Sequence, residues 1–141
     1  MKKHTYQVLE YNRLLDILSR YAMSPMGKSN CLSLEPSNDL GFVDNELRLV
    51  SEMKLLLKVR GFVSLSDLTD VYPFLRKSGT DGSYLEPKEL YCILSLAQTS
   101  QQSKKFLESH RSLCPRMYDI VRDIPNCENL VNTLNDAISE T

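Results

Sequence analysis

The sequence predicts an all-α, multi-helix domain of about six to seven helices, and three observations lead to this prediction. Apolar residues recur at the three- and four-residue spacing of helix faces and do not alternate as they do in strands. Proline follows serine or glutamate where helices should begin, and proline is tolerated at the first helical position. The 141 residues are 42% apolar and 25% charged, which is ordinary usage for a globular chain. We therefore expect a single helical domain over residues 1–141.

A pair of helices is predicted between Tyr11 and Pro36, preceded by a short lead-in at residues 8–10. Ser24 and Pro25 supply an N-cap hydroxyl and a first-turn proline for the second helix. This helix should end before Pro36, because the residue before a proline is disfavoured in the helical region. The apolar residues of the first helix share one face: Leu14, Leu15, Ile17, Leu18 and Tyr21.

The longest helix is predicted from Leu40 to Arg60, with Asp39 among its N-cap candidates and Gly61 as a left-handed C-terminal glycine. At about 1.5 Å per residue it would be roughly 30 Å long. We interpret its charged residues as a solvated face with helix pairs. Its apolar residues, expected to form the buried face, are Leu40, Val43, Leu47, Val50, Met53 and Leu57.

The second half of the chain carries signals for the remaining helices. Ser66, Asp67 and Asp70 are capping candidates for a short helix, and the pair Glu86–Pro87 opens a longer one. The polar run from Gln98 to Lys105 should bend or fray that helix, because it has little apolar periodicity.

A break is predicted at residues 113–115, where Leu-Cys-Pro interrupts the helical pattern, and two further helices follow. The last of them reaches Thr141 with no capping glycine or proline. This pattern leads us to expect a chain that has been cut from a longer one.

Composition limits the function. The formal net charge is −1, so the domain lacks the basic excess of a module built to hold nucleic acid. Met1 is followed by two lysines, but no apolar segment of a signal peptide comes next, and no apolar run is long enough to span a bilayer. A cytoplasmic location is therefore expected. The four cysteines lack metal-binding or redox spacing and should be reduced, largely buried thiols: Cys31, Cys92, Cys114 and Cys127.

No catalytic, cofactor-binding or metal-binding residue is predicted. His4 and His110 are far apart in sequence and should be exposed, and the turn at residues 78–83 lacks the lysine and the strand of a phosphate-binding loop. Two groups of basic residues stand near helix ends and are interpreted as solubilising surface, although nucleic-acid contact stays open: Lys54, Lys58 and Arg60, and Lys104, Lys105 and Arg111.

An ordered series of motifs resembles the amino-terminal region of the bacterial MutS proteins of the second type, the MutS-II branch. Each motif alone is a helix start, a helix stop or a core pattern, and it is their order along nearly the whole chain that carries the resemblance. The motifs are V-L-E-Y from Val8, L-L-x-I-L-x-x-Y-A ending at Ala22, S-P-M-G-K from Ser24, L-S-L-E-P-S from Leu32, L-x-D-L-x-D-V from Leu65 and L-x-P-x-E-L from Leu85.

The resemblance implies a helical piece of the MutS core and lever scaffold, truncated before the ATPase domain. The longer protein would be a homodimeric, ATP- and magnesium-dependent enzyme, commonly with an endonuclease domain, acting on branched DNA in recombination and repair control or on collided ribosomes. Neither the ATPase nor the nuclease motifs of the family occur in this chain, so no active residue is carried over.

Two alternatives stay open from the residues. An independent helical module that binds a protein or nucleic acid would use the basic helix ends, and a small stand-alone enzyme would need a site that the sequence does not display. We expect the chain's partners to be the remainder of its own polypeptide and a second copy of the longer protein, with no membrane partner.

Overall fold

The computed structural model describes residues 3–61, 65 and 68–139, and these residues form helices and connections without any strand. The all-α prediction is therefore confirmed. No helix in these ranges combines the length and apolar character needed to cross a bilayer. The described ranges contain eight helices: α1 (Lys3–Val8), α2 (Tyr11–Ser19), α3 (Pro25–Leu32), α4 (Leu40–Val59), α5 (Tyr72–Ser78), α6 (Pro87–Ser109), α7 (Pro115–Val121) and α8 (Glu128–Ser139).

Helix α1 was not predicted. The sequence analysis expected only a short connection at residues 8–10, and Val8 is the last residue of this helix. It is only six residues long and too short to show a helical period in its sequence. The ring of Tyr6 packs against the ring of Tyr11, with centroids 5.1 Å apart, and this contact joins α1 to α2. The prediction failed because a tertiary contact, and not local propensity, positions this turn of helix.

Helices α2 and α3 pack against each other as a pair, and Leu15 of α2 is buried. Ser24 caps α3 as predicted, because its hydroxyl accepts the N–H of Gly27 at 3.1 Å. Helix α3 nevertheless ends at Leu32, several residues before Pro36. The chain turns here, and the hydroxyl of Tyr11 donates to the carbonyl of Leu34 at 3.1 Å, which joins the end of the pair to its beginning.

The ends of α4 agree with the prediction, but its buried face does not. The carboxylate of Asp39 accepts the N–H of Phe42 at 3.0 Å, and Gly61 has the left-handed φ of 79°. The predicted buried stripe lies mostly exposed, and Leu56, outside that stripe, is 0% exposed. Helix α4 packs on α7 with the opposite side, so the prediction chose the wrong one of two apolar faces.

Helix α6 is the centre of the second half, because both α7 and α8 pack against it. One cluster of buried residues, at the α5, α6 and α8 side, contains Val71, Ile93, Leu94 and Leu134. A second cluster, at the α4, α6 and α7 side, contains Leu56, Leu107 and Cys114. The two clusters share α6, which therefore connects the long helix α4 to the C-terminal helices.

The polar run in α6 does not fray, so that part of the expectation was wrong. Helix α6 continues from Pro87 to Ser109. Gln101 donates to the carbonyl of Pro125 at 2.7 Å, and Lys104 donates to the carbonyl of Ile124 at 2.5 Å. These polar side chains satisfy the backbone of the α7–α8 connection, and the same bonds stabilise the helix that carries them.

The start of α6 is fixed by a capping box and an ion pair. One oxygen of Glu89 accepts both the N–H of Glu86, at 2.8 Å, and the ammonium of Lys77, at 2.7 Å. The hydrogen bond from Lys77 lowers the pKa of the Glu89 carboxyl below its ordinary value. Asp70 caps the preceding α5 by accepting the N–H of Tyr72 at 2.9 Å, whereas the candidates Ser66 and Asp67 lie outside the described residues.

Leu56 is buried and the adjacent Leu55 is exposed, so shortening these two side chains should have different effects on the stability of the fold. We expect Leu56→Ala to lower the free energy of unfolding by about 2–5 kcal/mol, because it opens a cavity in the second cluster. The control is Leu55→Ala on the same helix, where the side chain is 42% exposed, and its effect should stay within about 0.5 kcal/mol. Urea unfolding followed by circular dichroism measures both, and equal losses would contradict the described packing.

Candidate functional site at the junction of α4 and α7

The carboxylate of Glu52, on α4, lies at the first turn of α7. It accepts the backbone N–H of Arg116 at 3.3 Å and that of Met117 at 2.9 Å. Helix α7 has no cap of its own, because the N-cap residue Cys114 makes no side-chain cap bond. A negative charge at a helix N-terminus is favourable, since it meets unpaired N–H groups and the positive end of the helix dipole. Glu52 therefore caps α7 from a distant part of the chain.

A second polar contact fixes the alignment of the two helices. The guanidinium of Arg116 donates to the side-chain oxygen of Asn45 at 2.7 Å. Asn45 lies two helical turns before Glu52, on the same side of α4. Because the start of α7 is hydrogen-bonded to both Asn45 and Glu52, the position of α7 along α4 is fixed.

The apolar part of the junction lies one turn further along α4. Leu56 and Cys114 are both 0% exposed and form a cluster with Leu107. The thiol of Cys114 donates to the carbonyl of His110 at 3.2 Å. Burial raises the pKa of the Cys114 thiol above its ordinary value, and the charge of Glu52 adds to that effect. The thiol is thus held in its neutral, weakly nucleophilic form.

The cysteine prediction is borne out in part. All four cysteines are free thiols, but only Cys114 is fully buried, and Cys31, Cys92 and Cys127 are half-buried. In the part of the chain that the structure describes, no three His, Cys, Asp or Glu residues come together in a group that could hold a metal ion.

His110 is half-buried, so the expectation that it would be exposed was wrong. Its ring lies 4.7 Å from the ring of Phe106, between centroids, and its Nδ1 is 2.8 Å from the carbonyl of Phe106. The contact between His110 and Cys114 runs through the histidine's backbone carbonyl and not through its ring. The side chain of His4 lies outside the described residues.

The structure divides the two predicted groups of basic residues. Lys54, Lys58 and Arg60 are exposed together near the end of α4. In the other group, Lys104 is half-buried and bonded to the carbonyl of Ile124, while Lys105 is exposed. The second group therefore does not form one uniform basic surface.

The residues that the structure describes do not fit ATP at the turn between α5 and α6. This turn follows a helix, whereas a phosphate-binding loop follows a strand. The hydroxyl of Ser83 lies within hydrogen-bonding distance of the carbonyls of Thr80 and Lys77 and donates its one proton between them, and the nearby ammonium of Lys77 is paired with Glu89. The polar groups at this turn thus bond to other groups of the protein, and we assign no nucleotide to this site.

A cleft of about 360 Å³ lies beside the α2–α3 pair and is open to solvent. Its lining includes Tyr6, Tyr11 and Leu34, and Glu35 is its one carboxylate. No lysine, arginine, histidine or cysteine is among its lining residues. The hydroxyl of Tyr11 is used in the bond to the carbonyl of Leu34, and we assign no catalytic role to this cleft.

Comparison with known proteins gives one consistent result. The chain is 32% identical over 108 residues to the endonuclease MutS2 of Alkaliphilus metalliredigens, a match that covers 77% of this chain and 14% of that protein. It is 25% identical over 138 residues to the endonuclease MutS2 of Pelotomaculum thermopropionicum, covering 98% of this chain and 18% of the relative. The endonuclease MutS2 of Bacillus mycoides is 28% identical, with coverages of 90% and 18%. The chain thus spans less than a fifth of the length of these relatives.

Two other comparisons gave no match. No family model matches the chain, and no solved structure matches it. The relationship therefore depends on the sequence matches, which cover most of the chain.

The junction predicts that the charge of Glu52 stabilises the fold. We expect Glu52→Gln to lower the free energy of unfolding by about 1–2 kcal/mol, since a neutral amide accepts fewer and weaker bonds at a helix start. The matched control is Glu46→Gln, an exposed residue on the same helix, with an expected effect within about 0.5 kcal/mol. Urea unfolding at neutral pH measures both variants. Equal effects would show that Glu52 does not cap α7.

Proposed function

The chain belongs to the MutS2 family, and from this membership we propose that it is a non-catalytic helical core and lever segment of a longer MutS2-type protein. The relatives are named as endonucleases, but the match covers only 14% to 18% of their length. We assign ATP hydrolysis with magnesium, and DNA cleavage, to parts of the longer protein that lie outside these residues. Residues 1–141 then form one helical unit within that protein.

The observation that carries the proposal is the large apolar surface of the described residues. Four large apolar residues are each more than half exposed, namely Leu14, Tyr21, Leu40 and Leu47, and many others are also exposed. Large apolar side chains exposed in such number are typical of a surface that contacts other protein. A segment that normally packs against other protein explains this surface better than a free-standing enzyme or binding module does.

The contacts of α4 support a mechanical role. This helix has twenty residues, which corresponds to about 30 Å at 1.5 Å per residue. Glu52 and Leu56 attach its second half to α7, which in turn packs on α6. A helix held in this way moves together with its neighbours, so it transmits a displacement as a rigid body between two packed arrangements.

The partners follow from the family as proposals. The longer protein acts in the cytoplasm as a homodimer, either on branched DNA in recombination and repair control or on collided ribosomes. The alternative, an independent protein- or nucleic-acid-binding module, depends mainly on the exposed group Lys54, Lys58 and Arg60. It gains less from the group near Lys104, because that ammonium is bonded within the fold.

The proposal predicts the size and activity of the protein that carries this chain in its source cells. An antibody raised against the 141-residue chain should isolate a polypeptide several times heavier than 16.2 kDa. The isolated protein should hydrolyse ATP in a magnesium-dependent reaction, while the purified chain alone should show no hydrolysis. Mass spectrometry of the band identifies its sequence, and an ATPase assay measures its activity.

The control is an isolation in which excess purified chain competes for the antibody, which should remove both the band and the activity. A sole band at the size of the chain, without ATP hydrolysis, would contradict the proposal. The independent binding module would then be the better explanation.

A further inference from the structure

The described helices form two groups that pack separately. Helix α2 packs on α1 and α3, whereas α7 packs on α4 and α6, and α6 packs on α8. The members of both buried clusters around α6 lie at Leu56 or later in the chain, and α5 joins this second group beside the buried Val71. We call residues 3–34 the N-terminal arm, and residues 40–59 together with 68–139 the main body.

The polar contacts of the N-terminal arm close within the arm. Each side-chain hydrogen bond that the structure describes for residues 3–34 has both partners in that range. The one that spans most sequence is the bond from the hydroxyl of Tyr11 to the carbonyl of Leu34, at 3.1 Å. It attaches the segment after α3 back to α2, so Leu34 belongs to the arm.

The other end of the connection belongs to α4. The hydroxyl of Ser37 accepts the N–H of Asp39 at 3.1 Å, and the carboxylate of Asp39 accepts the N–H of Phe42 at 3.0 Å. These two bonds attach Ser37 to the first turn of α4, and therefore to the main body. Residues 32–42 are all exposed, so burial does not hold the arm against the main body along this stretch.

Glu35 and Pro36 remain between the two bonded ends. In the part of the chain that the structure describes, neither residue takes part in a backbone hydrogen bond. The proline ring fixes the φ angle of Pro36, and a residue before proline is restricted to extended conformations. Rotation is therefore left mainly to the ψ angle of Pro36 and the φ angle of Ser37. The connection is thus a short extended spacer with one pivot.

We propose that Glu35 and Pro36 form a hinge, about which the N-terminal arm rotates as a body relative to the main body. Hinges are a few residues between packed elements that absorb a change in backbone torsion angles. Rotation at Pro36 breaks none of the described bonds in the arm or in the main body, so it costs little free energy. The arm changes its orientation while Glu52 stays at the start of α7.

The connection between α7 and α8 provides the contrast. Pro125 also lies in a short connection between helices, but its carbonyl accepts the side-chain N–H of Gln101 at 2.7 Å. The carbonyl of Ile124 accepts the ammonium of Lys104 in the same way. This connection is bonded to α6 and has no hinge, which makes Pro125 a matched control for Pro36.

The first experiment measures backbone residual dipolar couplings of the purified 141-residue chain in a weakly aligning medium. All helices of one rigid body share one degree of alignment, whereas a part that moves on a hinge shows a lower one. We expect the degree of alignment of α2 and α3 to be about half that of α6 and α8, or less. Equal values in all four helices would contradict the hinge.

Two proline variants locate the pivot. Pro36→Gly should lower the alignment of α2 and α3 further, because glycine widens the range of torsion angles and frees the residue before it. Pro125→Gly should leave α6 and α8 with one common alignment. Circular dichroism checks that both variants keep their helices. An arm whose alignment does not change in Pro36→Gly would overturn the assignment of the hinge to this proline.

The second experiment uses amide hydrogen exchange to ask whether the two parts open separately. Leu15→Ala should speed exchange of the α2 and α3 amides by about tenfold or more, and it should leave the α6 amides unchanged. The control is Leu56→Ala, which should speed exchange in α6 and α7 and leave α2 unchanged. Faster exchange of the α6 amides in Leu15→Ala would show that the arm and the main body form one cooperative structure, which would overturn the proposal.

The hinge is inferred from contacts within the chain and does not rest on the proposed function. The size of the longer protein and its ATP hydrolysis enter neither experiment, so the two proposals can fail separately.

Discussion

The carboxylate of Glu52 at the start of α7 is the interaction on which the arrangement of the long helix depends. It supplies acceptors to two N–H groups that α7 cannot satisfy itself, and it does so across more than sixty residues of chain. Arg116 adds a bond to Asn45 in the same junction. Polar bonds of this kind are directional, so they fix the rotation of α4 about its own axis more strictly than apolar contact does.

That rotation determines which side of α4 is inside and which is outside. Leu56 is placed against Leu107 and Cys114, and the charge of Glu52 helps to keep the nearby thiol neutral. The apolar stripe of α4 that includes Leu40, Leu47 and Val50 is left on the outer side, together with much of the apolar surface of α2. A helix with one face bonded into its domain and another left for protein contact is suited to a structural segment of a multidomain protein. The MutS2 relatives, of which this chain covers a small part, are consistent with such a role.

The features that the sequence predicts well are local ones. Ser24, Asp39 and Glu86 mark helix starts, and Gly61 marks a helix end, because each acts on backbone groups only a few residues away.

The features that it misses depend on distant partners. The apolar period of α4 was visible, but the choice of its buried face was wrong, since that face contains the polar residues Asn45 and Glu52. Asn45 and Glu52 are seven residues apart, which places them on one side of the helix, and this spacing was the sequence signal that could have identified the buried face. In the same way, the polar run of α6 stays helical because Lys104 and Gln101 meet the α7–α8 connection.

The most direct test of the central role of Glu52 is the hydrogen-exchange rate of the Met117 amide, measured by nuclear magnetic resonance on the intact chain. An amide in the first turn of an uncapped, exposed helix exchanges quickly, whereas one bonded to Glu52 in the folded junction should exchange only when the junction opens. We predict exchange at the slow rate of the core amides of α6. Exchange close to that of an unfolded chain would contradict the view that this carboxylate holds α4 and α7 together.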